Sequence, residues 1–522
     1  MGKVFQKITG SKITLIFLPV IFFIIYSFKL NLVPVHLNQD ELEFSLNAYS
    51  ISKTLVDRNG IYLPFYFWHL DNFWATPIVT YFAALFLKFL PLSEGNIRIP
   101  SVVIGIASVV LVMIITHLIF KKRYLVIFSG FLFATSPALF INSRLLLDNI
   151  YPIFFTLLWI LFLKLFLDKK NIFLAFLSGL ALGIGFHSYH AAKILMPLYF
   201  IFTAIFFFKK FRKKILAFGL AFLIPVLIFI PWLKIHPDTL INQIGYISSI
   251  DKTISTNKGL YSFLTVEKAK SFIISYFSYF DPKILFISGD KTLIHSTEKF
   301  GVFLFPIAIL ILIGVIYAIY EKENKFSRLF IFGLLVYPVP PSLINDPERT
   351  SRSLGVIVFA TFLSMYATKY LSDSKDMILR TILIFIYVFI PLLFIIFLKD
   401  YYFDYPKRSY QVFNNNIGGA SESVLRSTKI REVSTIYLDK NIYFVTRYFD
   451  FYKIKNGEIS IPQKVRVFDP NKESFVNFPE KSIVLVRSNY FSDRSDKYGE
   501  FEKIEVIKEP DGKETFHIFY RD

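Results

Sequence analysis

The chain has 522 residues, 54% of them hydrophobic and 18% aromatic, with a mean hydropathy of +0.50, which excludes an ordinary water-soluble domain. Cysteine is absent, which excludes disulfides and thiolate metal sites. The net charge of +19 is gathered in short clusters between apolar runs ("KKRY" from Lys121, "DKKN" from Asp168, "KKFRKK" from Lys209, "EKENKFSR" from Glu321), the positive-inside pattern of a membrane protein rather than the basic face of a nucleic-acid binder.

The first apolar run, 13–33, follows Lys3, Lys7 and Lys12. It lacks a small-residue cleavage site and exceeds a signal-peptide core, so it reads as a retained first span leaving the N-terminus cytoplasmic. The acidic stretch "QDELEF", with Asp40 and Glu41, then opens a first outer loop, 34–96. Within it, the apolar segment 73–90 would, if it crossed the membrane, put "KKRY" outside and reverse every later loop. Pro77, Lys88 and the following "PLSEGN" suit an interfacial helix instead. Further spans follow by alternation at 97–120, 124–140, 151–167, 172–186, 194–208 and 215–233. A long outer loop, 234–299, precedes spans at 300–320, 329–344, 354–371 and 377–398. About eleven spans put the C-terminus outside. From 399 the composition changes: "VSTIYL", "IYFVTRYF", "KSIVLVRS" and "ETFHIFY" read as strands, with "KNGE" and "PDGKE" as turns. The expected architecture is mainly α: a polytopic transmembrane helical bundle over 1–398 and a small extracytoplasmic α/β or mostly-β domain over 399–522. That domain carries no catalytic motif and reads as an accessory or acceptor-recognition module.

Under this topology the notable polar motifs all fall on the outer side. They include "HLDNFW" (His69, Asp71), "SRLLLD" (Arg144, Asp148), "HSYHAAK" (His187, His190, Lys193), "SGDKTLIHS" (Asp290, Lys291, His295) and "NDPERTSR" (Asp346, Arg349, Arg352). Ionisable groups at membrane depth are costly, so a convergent set points to a site. Carboxylates beside cations at a membrane surface suit group transfer from a lipid-linked phosphate. The leaving phosphate needs arginine or lysine, and an acceptor hydroxyl needs a carboxylate base. Asp40 is the candidate base; Arg144, Lys193, Arg349 and Arg352 are phosphate candidates.

Each has a plainer alternative. Asp40 and Glu41 suit the acidic first turn of a surface helix. Arg144 and Asp148 have the spacing of a helix salt bridge. His187, His190 and Lys193 suit an interfacial cap, and "DPER" suits a turn leading into a helix. A divalent cation on His36 near Asp40, or on His187 with His190, is the less favoured choice.

Several stretches, in order, resemble one family: bacterial membrane glycosyltransferases of the GT-C class, in the protein O-mannosyltransferase-like group that includes the lipid A aminoarabinose transferases. They are "QDELEFSLNAYSISKTLVDRNG", "DNFWATPIVTYF", "IRIPSVVIG", "ATSPALFINSRLLLDN", "GLALGIGFHSYHAAKILMPL", "FISGDKTLIHS" and "PPSLINDPERTSRSL". The resemblance implies a catalytic aspartate at Asp40 with Glu41 as its acidic neighbour. It implies a basic set for the lipid phosphate at Lys193 and Arg352, then Arg144 and Arg349, with His190 beside them, and substrate-loop positions at Asp71, Asp290 and His295. It also implies a juxtamembrane helix after Phe73. Two positions depart: Ala75 stands where the family has lysine, and Lys193 where it has arginine, which keeps the charge but loses the fork.

The expected function is transfer of a sugar from a polyprenyl-phosphate donor to a hydroxyl acceptor on the outer face of the cytoplasmic membrane, with inversion and without a metal or other cofactor. The acceptor is a protein, a lipid or a glycan, and nucleic acid is not a partner. The competing readings are a flippase or transporter of lipid-linked saccharides, which would line a midplane path with polar or broken spans, and a non-catalytic glycan sensor.

Overall fold

The computed structural model describes residues 12–208, 211–237, 239, 266–321, 324–458, 461–473, 477–490 and 500–522. The chain divides into two compact units. One comprises Met1–Phe28, Leu63–Phe82 and Arg98–Leu398, the other Lys29–Tyr62, Ala83–Ile97 and Lys399–Asp522. The second unit therefore takes in loop segments 29–62 and 83–97, which the sequence reading groups with the transmembrane part. The physical reason is a set of long-range bonds, among them His36 to Glu509 and Lys455 to Glu94.

The first unit is helical because its segments are apolar throughout. Among the described residues, five helices are long and apolar enough to cross a membrane, and a bent pair makes a sixth. The five are Glu94–Phe120, Asp148–Lys169, Lys214–Ile235, Lys325–Leu343 and Met377–Phe413. The pair is Arg123–Ala134 and Pro137–Ser143, bent by 63°. Ser136 caps the second member, whose first residue is proline, so the "SP" dipeptide stops one helix and starts the next. Shorter apolar helices occupy Ile16–Ser27, Ile172–Gly185, Ala192–Phe207 and Ile307–Tyr320. The span expected at 300–320 becomes helical only at Ile307, after Pro306 as N-cap. Much of the expected outer loop 234–299 lies outside the described residues; its later part includes the helix Val266–Ser278.

Segment 73–90 is not a single helix. Phe73–Ala75 (β2) pairs antiparallel with Phe67–His69 (β1), and Pro77–Leu87 follows as a helix of 11 residues. At 1.5 Å per residue that is about 16 Å, too short to cross a core of about 30 Å.

Small residues let the helices of this unit approach closely. A Cβ on Gly179 would overlap the Phe218 carbonyl, and one on Gly314 would overlap that of Leu363. These glycines seat Ile172–Gly185 against Arg212–Leu227, and Ile307–Tyr320 against Val356–Asp373.

The second unit carries a five-stranded sheet with order β4-β3-β5-β7-β6. Its strands are Thr435–Asp439 (β3), Lys464–Phe468 (β4), Ser482–Arg487 (β5), Phe501–Lys508 (β6) and Glu514–Arg521 (β7). β3 is parallel to both β4 and β5, while β7 is antiparallel to β5 and β6. Tyr437, Phe468, Phe478, Val484, Val486, Phe501 and Phe519 form its core. The β6–β7 hairpin turns at Gly512, φ +88°, within the expected "PDGKE" turn. "IYFVTRYF" corrects the sequence reading, since it lies mostly in the helix Val445–Lys455 rather than a strand. Val445, Tyr448, Phe449 and Tyr452, among its buried residues, follow the helical period, which aromatic β-propensity masks. Strand β4 was missed because it is an edge strand with four of its five residues exposed.

Candidate active site

In the second unit the acidic stretch starts the helix Gln39–Thr54. Asn38 is the N-cap, its Oδ1 accepting from the Glu41 amide at 2.8 Å, while the Glu41 carboxylate accepts from the Asn38 amide at 3.4 Å. This reciprocal capping box buries Glu41 completely and leaves Asp40 half-buried in the first turn, a favourable place for a negative charge. Glu43, one turn on, is buried between Arg58 at 3.3 Å and Arg447 at 3.0 Å. The Tyr448 hydroxyl donates to the Leu37 carbonyl at 2.8 Å, and Asn414 Nδ2 donates to Gln39 Oε1 at 3.2 Å. Burial pushes the Tyr448 phenol well above its ordinary range, with the nearby charges of Glu41 and Asp40 adding to the effect, so it stays a donor. His36 Nε2 meets Glu509 at 2.7 Å; its ring is therefore engaged with the β6–β7 hairpin.

In the first unit the cations gather on the loops between helices. Lys193 Nζ donates to His190 Nδ1 at 3.2 Å and lies over the rings of Tyr66 and Phe229, 5.0 and 5.1 Å from their centroids. Burial, with the nearby charges of Lys193 and Arg352, holds His190 well below the ordinary histidine range, so it is neutral and able to accept. His187 is separately engaged: Nδ1 accepts from the Tyr66 hydroxyl at 2.9 Å and Nε2 donates to the Pro225 carbonyl at 2.9 Å. Both nitrogens of His187 are thus engaged inside the protein. Burial lowers His187 to about 4.

The "NDPERTSR" loop turns through Asn345 and Glu348, both in the left-handed region, into a short 3-10 turn, Thr350–Ser353. Asp346 is shared by Arg352 at 2.6 Å and Lys291 at 2.9 Å. Arg349 lies 3.9 Å from Asp290. Tyr189 is within electrostatic reach of Arg352, Asp148, Arg349 and Asp290, and Asp148–Ile150 packs against Thr350–Ser353. Four segments thus converge: those of Asp148, Tyr189, Asp290 and Arg352.

Not every expected residue joins this cluster through an exposed side chain. Arg144 is fully buried, its Nη1 donating to the Tyr26 carbonyl and its guanidinium 5.2 Å from the Phe140 ring centroid. Arg144 and Asp148 do not share a helix: Arg144 caps Pro137–Ser143, and Asp148 accepts from Thr76 at 2.8 Å. Asp290 is buried and accepts from the Ser351 amide at 2.8 Å and the Thr292 amide at 3.1 Å, so it shapes the loop. His295 Nδ1 hydrogen-bonds Asn142 Oδ1 at 2.8 Å. Asp71 is exposed, at φ +56° in the β1–β2 turn. Tyr66, Tyr448 and Arg447 were missed, because aromatic and basic residues in such a chain carry no spacing signal. Among the described residues no group of three His, Asp or Glu is arranged to hold a metal ion.

Comparison with known proteins gives a segment match and a fold match. Residues 75–234 match the family model "dolichyl-phosphate-mannose-protein mannosyltransferase". No curated protein matches the chain. Among solved structures it is similar to ArnT from Cupriavidus metallidurans bound to undecaprenyl phosphate, with TM-score 0.57 and 10% identity over 98% of both chains. It is similar to the apo state of the same protein with TM-score 0.56, 10% identity and the same coverage. The chain thus shares the fold of ArnT, and residues 75–234 match a mannosyltransferase family model.

Proposed function

We propose that the protein is a multi-pass membrane glycosyltransferase that moves a sugar from a polyprenyl-phosphate donor to a hydroxyl acceptor. The observation that carries this reading is the convergence of Lys193, Arg349 and Arg352 on adjoining loops, in a fold shared with a protein solved with undecaprenyl phosphate. In this reading the reaction lies on the outer face of the cytoplasmic membrane, with the N-terminus cytoplasmic and the C-terminal domain outside. The acceptor is a protein, lipid or glycan hydroxyl.

The Asp40 carboxylate takes the proton of the acceptor hydroxyl. The oxygen attacks the anomeric carbon in line, and the bond from that carbon to the phosphate oxygen breaks. Polyprenyl phosphate leaves with the electron pair, and the sugar is inverted. Lys193, Arg349 and Arg352 hold the leaving phosphate as charge develops on it. Arg144, being buried, is not in that set. Glu41 acts by capping the helix that presents Asp40. Since the cations supply the countercharge for a monophosphate, transfer proceeds without a divalent metal.

The test is turnover by the purified full-length chain in nanodiscs against a panel of polyprenyl-phosphate sugars, with and without EDTA. Release of polyprenyl phosphate from one donor, unaffected by EDTA, is expected. No release from any donor, together with translocation of a labelled lipid-linked saccharide in liposomes, would replace the transferase reading with the flippase.

A further inference from the structure

The segment that presents Asp40 is held from both sides by residues some 400 positions away in the chain. His36 is bound by Glu509, whose other oxygen accepts from the Asn416 amide and the Thr515 hydroxyl, both at 2.8 Å. The Leu37 carbonyl accepts from Tyr448, Gln39 from Asn414, and Glu43 pairs with Arg447. Asn414 also donates to the Tyr448 hydroxyl at 3.1 Å, tying two of these contacts together. Asp40 lies inside this bracket. Helix Val445–Lys455 packs on helix Gln39–Thr54, and its far end pairs Lys455 with Glu94 and Glu422 at 2.8 and 2.7 Å.

A first turn at the mouth of a loop would ordinarily fray, because its amides have no partners within the helix. Here the cap fixes the amides, and the C-terminal module fixes the residues before and after them. A general base has to be held within about 0.5 Å of its productive position. The acidic partners are also buried: the side chains of Glu509 and Glu43 are 0% and 3% exposed.

We propose that the C-terminal module is a clamp for Asp40, and that Tyr448 and Arg447 are positioning residues for the transfer reaction. This rests on the proposed role of Asp40 as base. It assigns the module a task in the reaction step rather than in recruiting the acceptor.

Tyr448→Phe tests it with the smallest change, the loss of one hydroxyl. Arg447→Met removes the pair to Glu43, and Arg447→Lys retains its charge. In the full-length protein, hydrogen exchange of residues 37–44 is expected to quicken about tenfold in Tyr448→Phe. It should quicken further in Arg447→Met and be partly restored in Arg447→Lys, while exchange in Ser482–Arg487 stays as in wild type. With the polyprenyl-phosphate sugar that wild type consumes, kcat should fall about tenfold at unchanged donor KM. Tyr448→Phe should cost nothing further in an Asp40→Asn background. Unchanged exchange at 37–44 in Tyr448→Phe, or a raised KM at constant kcat, would overturn the clamp. A dead Asp40→Asn beside a fully active Tyr448→Phe would overturn the clamp alone. An Asp40→Asn variant as active as wild type would overturn the base assignment and the clamp with it.

Discussion

The acidic helix start and the basic loop cluster are both built from charged residues, yet they are held in opposite ways. Around Asp40 the charges are locked. Glu41 is spent in a capping box, and Glu43 is buried between two arginines. In the basic cluster the ion pairs are partly exposed and shared, with Asp346 divided between Arg352 and Lys291, whose side chains are 18% and 37% exposed. A locked frame suits a neighbouring carboxylate that must be in place before the reaction. Shared, accessible pairs suit cations that exchange a protein carboxylate for an incoming phosphate at modest cost. Charge content alone therefore does not mark a site; what matters is whether each charge is satisfied by buried protein or by partners a ligand can replace.

Removal of the exchangeable cations is expected to have the largest effect. Arg349→Ala with Arg352→Ala is expected to lower kcat/KM for the donor roughly 10³-fold, two charge-assisted contacts being lost. Binding of undecaprenyl phosphate should weaken in the same measure, and unchanged binding would remove both arginines from the site.

The locked region should answer in stability instead. Glu43→Gln leaves Arg58 and Arg447 facing a neutral amide and is expected to cost roughly 3 kcal/mol, read as a lowered denaturation midpoint of the full chain. A midpoint equal to wild type would mean the buried triad is not part of the lock.

Acid sharpens the contrast more gently. His187 is held at about 4 by burial, whereas an unfolded histidine titrates near ~6.5. The folded value lies below the unfolded one, so the unfolded chain takes up the proton first. Stability is therefore full above about 6.5 and declines as pH falls from there towards about 4. His190 is shifted in the same direction. A melting series from neutral to acid pH should show the decline, and His187→Gln should flatten part of it. The smallest effect is expected at the exposed turn: Asp71→Asn should change stability by less than about 0.5 kcal/mol, measured by the same melts.

The transmembrane part was legible because long apolar runs and basic loop clusters are direct records of the bilayer. The reading of 73–90 as a segment that does not cross followed from charge parity together with Pro77, Lys88 and "PLSEGN", and the segment is too short in its helical part to cross. The span count was less legible, since helices such as Ile172–Gly185 and Ile307–Tyr320 are shorter than a full crossing and prolines shift their starts. In the C-terminal domain, the core strands β3, β5 and β7 were read correctly because each is an apolar run. Helix Val445–Lys455 was not, because its aromatic residues favour strands locally and only packing selects the helical period. The candidate site was legible as residue types but not as partners. Nothing in the spacing of Glu43 and Arg447, or of His36 and Glu509, foretells that they meet. Arg144 shows the reverse: a cation in a suggestive motif is fully buried and donates to a backbone carbonyl.

In the proposed reaction Asp40 does the chemistry while the basic cluster holds the donor. Sugar transfer and undecaprenyl phosphate binding, measured side by side in wild type and Asp40→Asn, separate the two roles. The expected result is a fall in kcat of roughly 10³-fold with phosphate binding intact, the size of a lost general base. Wild-type turnover by Asp40→Asn would contradict it.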